Sequence, residues 1–239
     1  MGENGQVCRE GWQWWRSQLD RPDRACWQPS ATPISEAAVT LTVKASVGDE
    51  DQYQARHARP HWPGGEAGIT VGIGYDVGYT TSALLTSDWR SRIDEMLIHR
   101  LEGKIGVTGE RSKGALADLF KRIEMRIEWE DALWVHRYRL LPRITGMVER
   151  SFGNSWRLGP NGLGALVSLA WNRGVRFGDQ GESVAAMRQI AHEMNSGNFA
   201  VIPQLIASMK DLWPANDRQA QTRQAEAALF EEGLSEILH

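Results

Sequence analysis

Two side chains near the start of the chain have types and spacing that suit acid–base or hydrogen-bonding chemistry. Thr70 carries a hydroxyl and Asp76, six residues later, carries a carboxylate, within the segment WPGGEAGITVGIGYDVGY at 62–79. A hydroxyl and a carboxylate on one wall of a groove can bind a polar ligand and exchange protons with it. Glu66 adds a second carboxylate to the same segment.

The pattern around Thr70 predicts the element that would position these groups. Every second residue from 69 to 73 is apolar, which is typical of a strand with one apolar face. Gly72 and Gly74 interrupt this strand, where glycine weakens packing, so they indicate a close approach by backbone or ligand. We predict a glycine-rich hairpin on the wall of a groove.

Two other structures were compatible with parts of this segment. A tight turn in a small sheet would use Asp76 to bond its own backbone, and this alternative remains open. A phosphate-binding loop is disfavoured, because the third glycine of G-x-G-x-x-G would fall on Val77 and no amphipathic helix follows directly.

The chain before the hairpin predicts one helix and then a loop. Apolar residues at helical spacing give a helix at about 34–47, which Gly48 ends. The acids at 49–51 are expected in a solvated loop at its C-terminus. That is an unusual place for three acids, since negative charge is disfavoured there.

The loop continues through a stretch rich in arginine and histidine. Pro60 and Pro63 exclude a helix in this stretch. His57 and His61 have the four-residue spacing of a zinc pair on a helix, but without the helix we expect no metal there.

The chain after the hairpin predicts helices, because apolar residues recur at intervals of three and four. Pro142 should kink or end the third of these helices. A small hairpin followed by a mostly helical remainder is an α+β architecture. The predicted helices are 89–101, 115–127, 129–147, a buried helix around 165–170, 184–194, 199–209 and 218–229.

Composition restricts the class of protein. The 239 residues suffice for one good-sized domain, or a domain with an appendage. A formal charge of −3 without a basic stripe argues against nucleic-acid binding. No apolar run approaches the about 20 residues of a membrane span, and the first residues lack the apolar core of a signal peptide. We therefore expect synthesis in the cytoplasm, and delivery by another route if the protein acts outside it.

The first 33 residues predict a separate extension, which places the domain boundary between 1–33 and 34–239. Cys8 and Cys26 both lie in this extension and would either form a disulfide or remain as two buried thiols. Its four tryptophans favour packing against the main domain, and a docking or glycan-stacking patch is the alternative.

Other common chemistries lack their minimal motifs. The sequence has no G-x-S-x-G, no H-E-x-x-H and no C-x-x-C, which argues against a serine hydrolase, a zinc peptidase and a thiol oxidoreductase. No cofactor and no metal are expected.

Three motifs in order give the chain a resemblance to the phage-type lysozymes, in particular to their pesticin-like branch of bacterial toxins. They are the hairpin segment at 62–79, ALVSLAWNRG at 165–174 and RQAEAALFEEG at 223–233. The resemblance covers roughly 34–234 and implies a lysozyme-like α+β fold, with a small hairpin lobe and a mostly helical lobe.

The resemblance also implies a reaction: hydrolysis of the β-1,4 bond between N-acetylmuramic acid and N-acetylglucosamine in peptidoglycan. Thr70 matches the threonine that positions the attacking water, and Asp76 matches the carboxylate of the toxin-like branch. Such hydrolysis needs an acid to protonate the departing oxygen and a base or charged group on the other face of the sugar. We expect Asp76 to be the second of these groups.

The chain departs from this family at the general acid. The family has a Glu at the end of its first helix, and that register falls on Ser46, or on Ala45 if slipped by one. Neither side chain can donate the proton. An introduced inactivating change, a natural pseudo-enzyme and relocation of the acid to Glu50 remain open. Glu66 is a weaker candidate, since it is too close to Thr70 along the strand.

Five residues are expected to contact substrate: Trp62, Glu66, Tyr75, Asn172 and Arg173. The exposed face of a tryptophan such as Trp62 can stack on a sugar ring, and the motif match places Asn172 and Arg173 at the groove. Peptidoglycan strands are the expected partner. The toxin branch also implies an immunity protein or a secretion machine, and action in the wall of a target bacterium.

A second class of function fits the missing acid. A non-catalytic glycan-binding module would keep the groove and use Thr70, Asp76, Asn172 and Arg173 as sugar contacts. A glycosidase of chitin or chitosan would apply the same geometry to another polymer.

Overall fold

The computed structural model describes residues 28–120, 125–175, 177, 182–215 and 217–237. It is mostly helical with one small two-stranded antiparallel sheet, so the predicted α+β class is confirmed. The predictions for Cys8, Cys26 and the tryptophans before residue 28 lie outside the described residues. None of the described helices has the length and apolar content that crossing a membrane requires.

The chain divides into two compact units. Within the described residues, the hairpin unit comprises Ser46–Leu140, and the helical unit comprises 28–45 and 141–237. Besides short 3-10 turns, the elements in chain order are α1 Glu36–Ser46, α2 Glu50–Arg56, β1 Thr70–Val71, β2 Tyr75–Asp76, α3 Ser82–Trp89, α4 Glu95–Glu102, α5 Arg111–Phe120, α6 Trp129–Val135, a π-helical turn His136–Leu140, α7 Leu141–Ser151, α8 Pro160–Arg173, α9 Glu182–Ser196, α10 Ile202–Ser208 and α11 Arg218–Ile237.

Helix α1 confirms the predicted first helix, but the loop predicted after it is wrong. Asp49 is the N-cap of α2, where its carboxylate accepts the N–H of Gln52 at 2.8 Å. Glu50 and Asp51 occupy the first turn of α2. The acids therefore stabilise a helix N-terminus, where capping groups and negative charge are favourable. This removes the apparent anomaly of three acids beyond a helix C-terminus.

The hairpin forms as predicted, but its pattern differs from a strand with one apolar face. Each strand has two residues, and Gly72 and Gly74 form the turn, with φ of +56° and +72°. A Cβ at position 72 would lie 2.8 Å from the ring of Trp89. The group that approaches the turn is therefore a core tryptophan of the hairpin unit.

Buried polar contacts hold the tip of the hairpin in place. The imidazole of His136, in the π-helical turn, bonds the backbone of Ile73, and burial lowers the pKa of His136 to about 3. Both residues are 1% exposed. A neutral histidine thus fixes the turn that joins β1 to β2.

The later helices follow the sequence pattern with shifted boundaries. The helix predicted at 89–101 is α4, which begins only at Glu95, because α3 ends at Trp89 and Asp94 caps α4 through the N–H of Met96 at 2.7 Å. The helix predicted at 115–127 is α5, which begins at Arg111 and ends at Phe120. Pro142 follows a π-helical turn, as expected of a residue that cannot donate to the carbonyl four positions earlier.

The core of the helical unit is α8. Residues 162–172 of this helix are all buried, and it packs against α7 and α11. Gly164 permits a close approach, since a Cβ there would lie 2.3 Å from that of Ala38 on α1. The ordered apolar run at 165–170 is thus a buried helix, as the sequence predicts.

Candidate functional site

The two residues singled out for chemistry lie directly opposite each other. Thr70 on β1 pairs with Asp76 on β2. The backbone of Thr70 bonds instead to that of His61 on its other side. The nitrogen of Thr70 lies 2.8 Å from the oxygen of His61, and the nitrogen of His61 lies 3.0 Å from the oxygen of Thr70. Thr70 and Asp76 therefore form a non-hydrogen-bonded pair, whose side chains share one face of the hairpin with Cβ atoms about 5 Å apart.

Two glycines that sequence reasoning missed hold the carboxylate of Asp76. Its Oδ2 accepts the N–H of Gly68 at 3.0 Å, and its Oδ1 accepts the N–H of Gly78 at 2.9 Å. A Cβ at position 68 would lie 2.4 Å from Oδ1 and 2.6 Å from the Cα of Gly78. The placement of these glycines on either side of the hairpin, eight residues before Asp76 and two after it, was the available signal.

The environment of Asp76 favours its neutral form. Asp76 is 3% exposed, and burial raises its pKa to about 7, against the opposing effect of the two glycine N–H groups. Within the described residues, no cation pairs with this carboxyl. A carboxyl that titrates near neutral pH beside a hydroxyl has the proton affinity of a general base or acid.

Exposure separates the three positions considered for the general acid. Ala45 is 5% exposed and belongs to the helical unit, whereas Ser46 is half-buried at the end of α1. Glu50 is exposed at the first residue of α2 and belongs to the hairpin unit. Of these three residues, only Glu50 has an ionisable side chain, and it shares its unit with Thr70 and Asp76.

Contacts within the hairpin unit connect α2 to the hairpin. Nδ1 of His57 lies 3.3 Å from Nε2 of His61, and His61 is the residue whose backbone pairs with Thr70. At the middle of α2, the hydroxyl of Tyr53 donates to the carbonyl of Ile127 at 2.8 Å. Because α2 has only seven residues, Glu50 is separated from His57 by roughly 10 Å along the helix axis.

The other candidate residues of the hairpin segment differ in how much of their side chains is exposed to solvent. Trp62 is half-buried, with its indole N–H donating to the carbonyl of Ala67 at 3.0 Å and the amino group of Lys113 lying 4.9 Å from its ring. Glu66 is exposed. Tyr75 is 1% exposed.

The hydroxyl of Tyr75 has protein partners on two sides. It lies 3.0 Å from the Thr80 hydroxyl and donates to Asp88 at 3.1 Å. Its ring meets that of Trp89 edge-on, with ring centroids 5.6 Å apart. In this structure Tyr75 therefore has a packing role beneath the hairpin, and presents almost no surface to a ligand.

Asn172 and Arg173 lie at the end of α8 in the helical unit. Asn172 is 1% exposed and donates to the carbonyl of Ser168 at 3.0 Å. Arg173 is half-buried, with its guanidinium 5.3 Å from the ring of Trp213. Arg173 is thus the more accessible of the two.

A buried ion pair that sequence reasoning did not use lies beside Asn172. Arg223 and Glu226 on α11 are both 0% exposed, and their Nη2 and Oε1 atoms are 2.9 Å apart. The hydroxyl of Ser168 donates to the same Oε1 at 2.6 Å. Burial lowers the pKa of Arg223 and raises that of Glu226, while each opposes the shift of the other.

Among the residues that the structure describes, no three His, Cys, Asp or Glu side chains are grouped so as to hold a metal ion. His57 and His61 have no third such ligand within that part of the chain.

Comparison with known proteins gives one family match. Residues 39–151 match a family described as a domain of unknown function (DUF8812). The match includes Ala45, Ser46, Glu50, Thr70 and Asp76, and it ends before Asn172 and Arg173. No curated protein matches the chain.

Proposed function

We propose that the chain is a lysozyme-like muramidase, which hydrolyses the β-1,4 bond between N-acetylmuramic acid and N-acetylglucosamine in peptidoglycan as an antibacterial toxin or lysis enzyme. The observation that supports this best is the pairing of Thr70 with Asp76 on one face of the hairpin. The substrate class comes from the resemblance to phage-type lysozymes, which rests on the order of the three motifs along the chain.

The proposed roles follow from the chemistry of the two side chains. The ionised carboxylate of Asp76 accepts a proton from water, and the hydroxyl of Thr70 orients that water toward the anomeric carbon. Because burial raises the pKa of Asp76 to about 7, the ionised fraction of this base grows through neutral pH. The ionisation of Asp76 by itself is therefore expected to make kcat/KM rise with pH up to about 7. A rate that instead falls above pH 7 would make Asp76 the acid.

We assign the general acid to Glu50. A general acid must reach the glycosidic oxygen, and Glu50 is exposed while Ala45 is almost fully buried. Helix α2 and the hairpin belong to the same unit. Glu50 would protonate the departing oxygen on the side of the sugar opposite to Thr70 and Asp76.

A second candidate function is a non-catalytic peptidoglycan-binding module. It is favoured by the absence of an ionisable side chain at Ala45 and Ser46, where the resemblance places the general acid. The low exposure of Thr70 and Asp76, 6% and 3%, restricts their contact with a sugar in either function. The two functions differ in one measurable property, the release of reducing ends.

The test is reducing-sugar release from purified peptidoglycan by the full chain and by Glu50→Gln and Asp76→Asn, which change charge with little change in shape. Loss of an acid or base is expected to lower the rate about 10²- to 10⁴-fold. Asp51→Asn is the matched control, because Asp51 is exposed in the same turn of α2, and it should retain the parent rate. Circular dichroism checks that each variant is folded.

Ala45→Glu and Ser46→Glu complete the series. If the parent is inactive and one of these variants cleaves, the acid is missing from this chain and Glu50 does not replace it. If none cleaves and all bind peptidoglycan, the binding module is the function. Full activity of folded Asp76→Asn would refute the role of Asp76.

A further inference from the structure

Three arginines surround two aromatic rings at the end of the hairpin unit, and we call this group the arginine–aromatic patch. The guanidinium of Arg92 lies 4.0 Å from the centroid of the Trp134 ring, and that of Arg139 lies 5.0 Å from it. The ring of Tyr138 is 5.5 Å from that of Trp134, and the guanidinium of Arg137 is 5.7 Å from the Tyr138 ring.

The π-helical turn presents this patch to solvent. His136 and Leu140 are 1% and 2% exposed, and between them lie Arg137, Tyr138 and Arg139. Tyr138 is 54% exposed, which is high for a large aromatic residue. The buried residues at both ends fix the turn, so the outward side chains are held on an ordered backbone.

Stacking prepares the arginines to bind an anion. Each ring holds a guanidinium plane through cation–π contact, which reduces the side-chain entropy lost when a ligand binds. The Nε atoms of Arg92 and Arg139 are buried without a hydrogen-bond partner. The two Nη groups at the end of each guanidinium form a planar fork that matches a carboxylate.

The charges on the patch are unbalanced. Nη1 of Arg92 lies 3.5 Å from Oδ1 of Asp131, and both side chains are about one-third exposed. Solvent reaches both side chains and screens this pair, so a bidentate ligand can compete with it. Arg139, beside the same Trp134 ring, has no ion-pair partner among the described residues, which leaves local positive charge there.

We infer that the arginine–aromatic patch binds the carboxylates of peptidoglycan stem peptides, as a site separate from the hairpin carboxylate. The inference rests on the proposed function for the identity of the polymer. Arg139 and Arg92 would bind the carboxylates, and Tyr138 would lie against the peptide or the adjacent sugar. The patch would then favour peptide-bearing strands over bare glycan.

The patch is less suited to an acidic protein partner. Protein interfaces have an apolar core at their centre, but Tyr138 is the only ring of this patch that is more than half exposed. Guanidinium groups lie against the Trp134 ring, which would otherwise provide that core. A thin, carboxylate-bearing strand therefore fits better than a broad protein surface.

The test measures equilibrium binding of the full chain carrying Glu50→Gln, which limits consumption of the ligand. The two probes are intact sacculi with stem peptides and glycan strands stripped of stem peptides by an amidase. Added to this background, Arg139→Gln is expected to weaken binding to intact sacculi about tenfold, the usual scale for one charge-assisted hydrogen-bonding group. It should leave binding to stripped strands unchanged.

Two variants control for charge and geometry. Arg139→Lys keeps the charge but loses the planar fork, so it should fall between the parent and Arg139→Gln. Arg111→Gln removes an exposed arginine of the same unit outside the patch, and it should bind like the parent.

The outcomes separate this inference from the proposed function. Equal binding of Arg139→Gln and the parent to intact sacculi overturns the inference, whether or not the unsubstituted chain cleaves. Equal weakening on both probes also overturns it, because the stem peptides would then not be the ligand. Weaker binding to poly-L-glutamate with unchanged binding to sacculi would reassign the patch to an acidic protein. The expected binding pattern, together with no release of reducing sugar by the unsubstituted chain, supports the inference and refutes the muramidase.

Discussion

Asp76 in the hairpin unit and Glu226 in the helical unit are both almost completely buried, but they are held by different means. Asp76 in the hairpin unit is held by two backbone N–H groups, from Gly68 and Gly78. Glu226 in the helical unit is held by the guanidinium of Arg223 and the hydroxyl of Ser168. The first carboxyl has dipoles around it, and the second has a full opposite charge.

The difference determines which carboxyl can exchange protons. Burial raises the pKa of both carboxyls, but at Glu226 a full cation opposes the rise, and breaking a buried pair leaves an uncompensated charge, so Glu226 is suited to a structural role. Backbone N–H groups stabilise charge less, and burial raises the pKa of Asp76 to about 7. We therefore assign proton exchange to Asp76 and stabilisation of the fold to Glu226.

The largest effect should come from breaking the ion pair. Glu226→Gln leaves the buried cation of Arg223 without its anion, which is expected to lower the free energy of unfolding by about 3–5 kcal/mol. Urea denaturation measures it. The double variant Arg223→Met, Glu226→Leu removes both charges and should recover most of the loss. If Glu226→Gln costs less than Asp76→Asn, the structural role belongs to Asp76 instead.

A somewhat smaller effect should appear in the pH dependence of stability. The folded-state pKa of Asp76, about 7, lies above its ordinary value of 3.8. Its stabilising contribution is therefore fully present below pH 3.8 and is lost as pH rises through 7, when the folded state must ionise a buried carboxyl. The loss is about 4 kcal/mol at most, from 1.36 kcal/mol for each pKa unit.

The measurement compares urea unfolding of the parent and of Asp76→Asn between pH 4 and 8. Glu226 is present in both chains, so the difference between them isolates Asp76. The parent should lose stability relative to the variant as pH rises. A difference that is constant with pH would show that Asp76 is ionised throughout the range, and would remove the reason for placing a neutral-pH base there.

The two units also show which features the sequence could predict. The spacing of apolar residues and the positions of glycine and proline correctly predicted α1, the buried helix α8 and the hairpin, because both features act on local structure. They failed at Asp49, where a cap was taken for a loop, since the acids fit either a helix end or a helix start until α2 is known. They also failed at Gly72, whose neighbour Trp89 is distant in sequence.

The candidate site was predictable in part for the same reason. The choice of Thr70 and Asp76 required only the hairpin register. The glycine cradle of Gly68 and Gly78, and the pairing of Glu226 with Ser168 on another helix, depend on which backbones meet in three dimensions. The spacing of residues along the chain does not predict those contacts.

The smallest of the three effects should come from filling the space beside the carboxyl of Asp76. Gly68→Ala would place a Cβ 2.4 Å from Oδ1 of Asp76 and 2.6 Å from the Cα of Gly78. The second atom is backbone, so relief requires the hairpin to open. We expect a loss of about 1–3 kcal/mol in the free energy of unfolding, the usual cost of overpacking, together with reduced hydrolysis.

Gly114→Ala is the matched control, because a Cβ there would meet nothing within 4 Å and Gly114 lies inside α5. Alanine should stabilise that helix by up to about 1 kcal/mol. If Gly68→Ala instead retains both stability and activity, the close approach of Gly68 and Gly78 is not needed to hold Asp76.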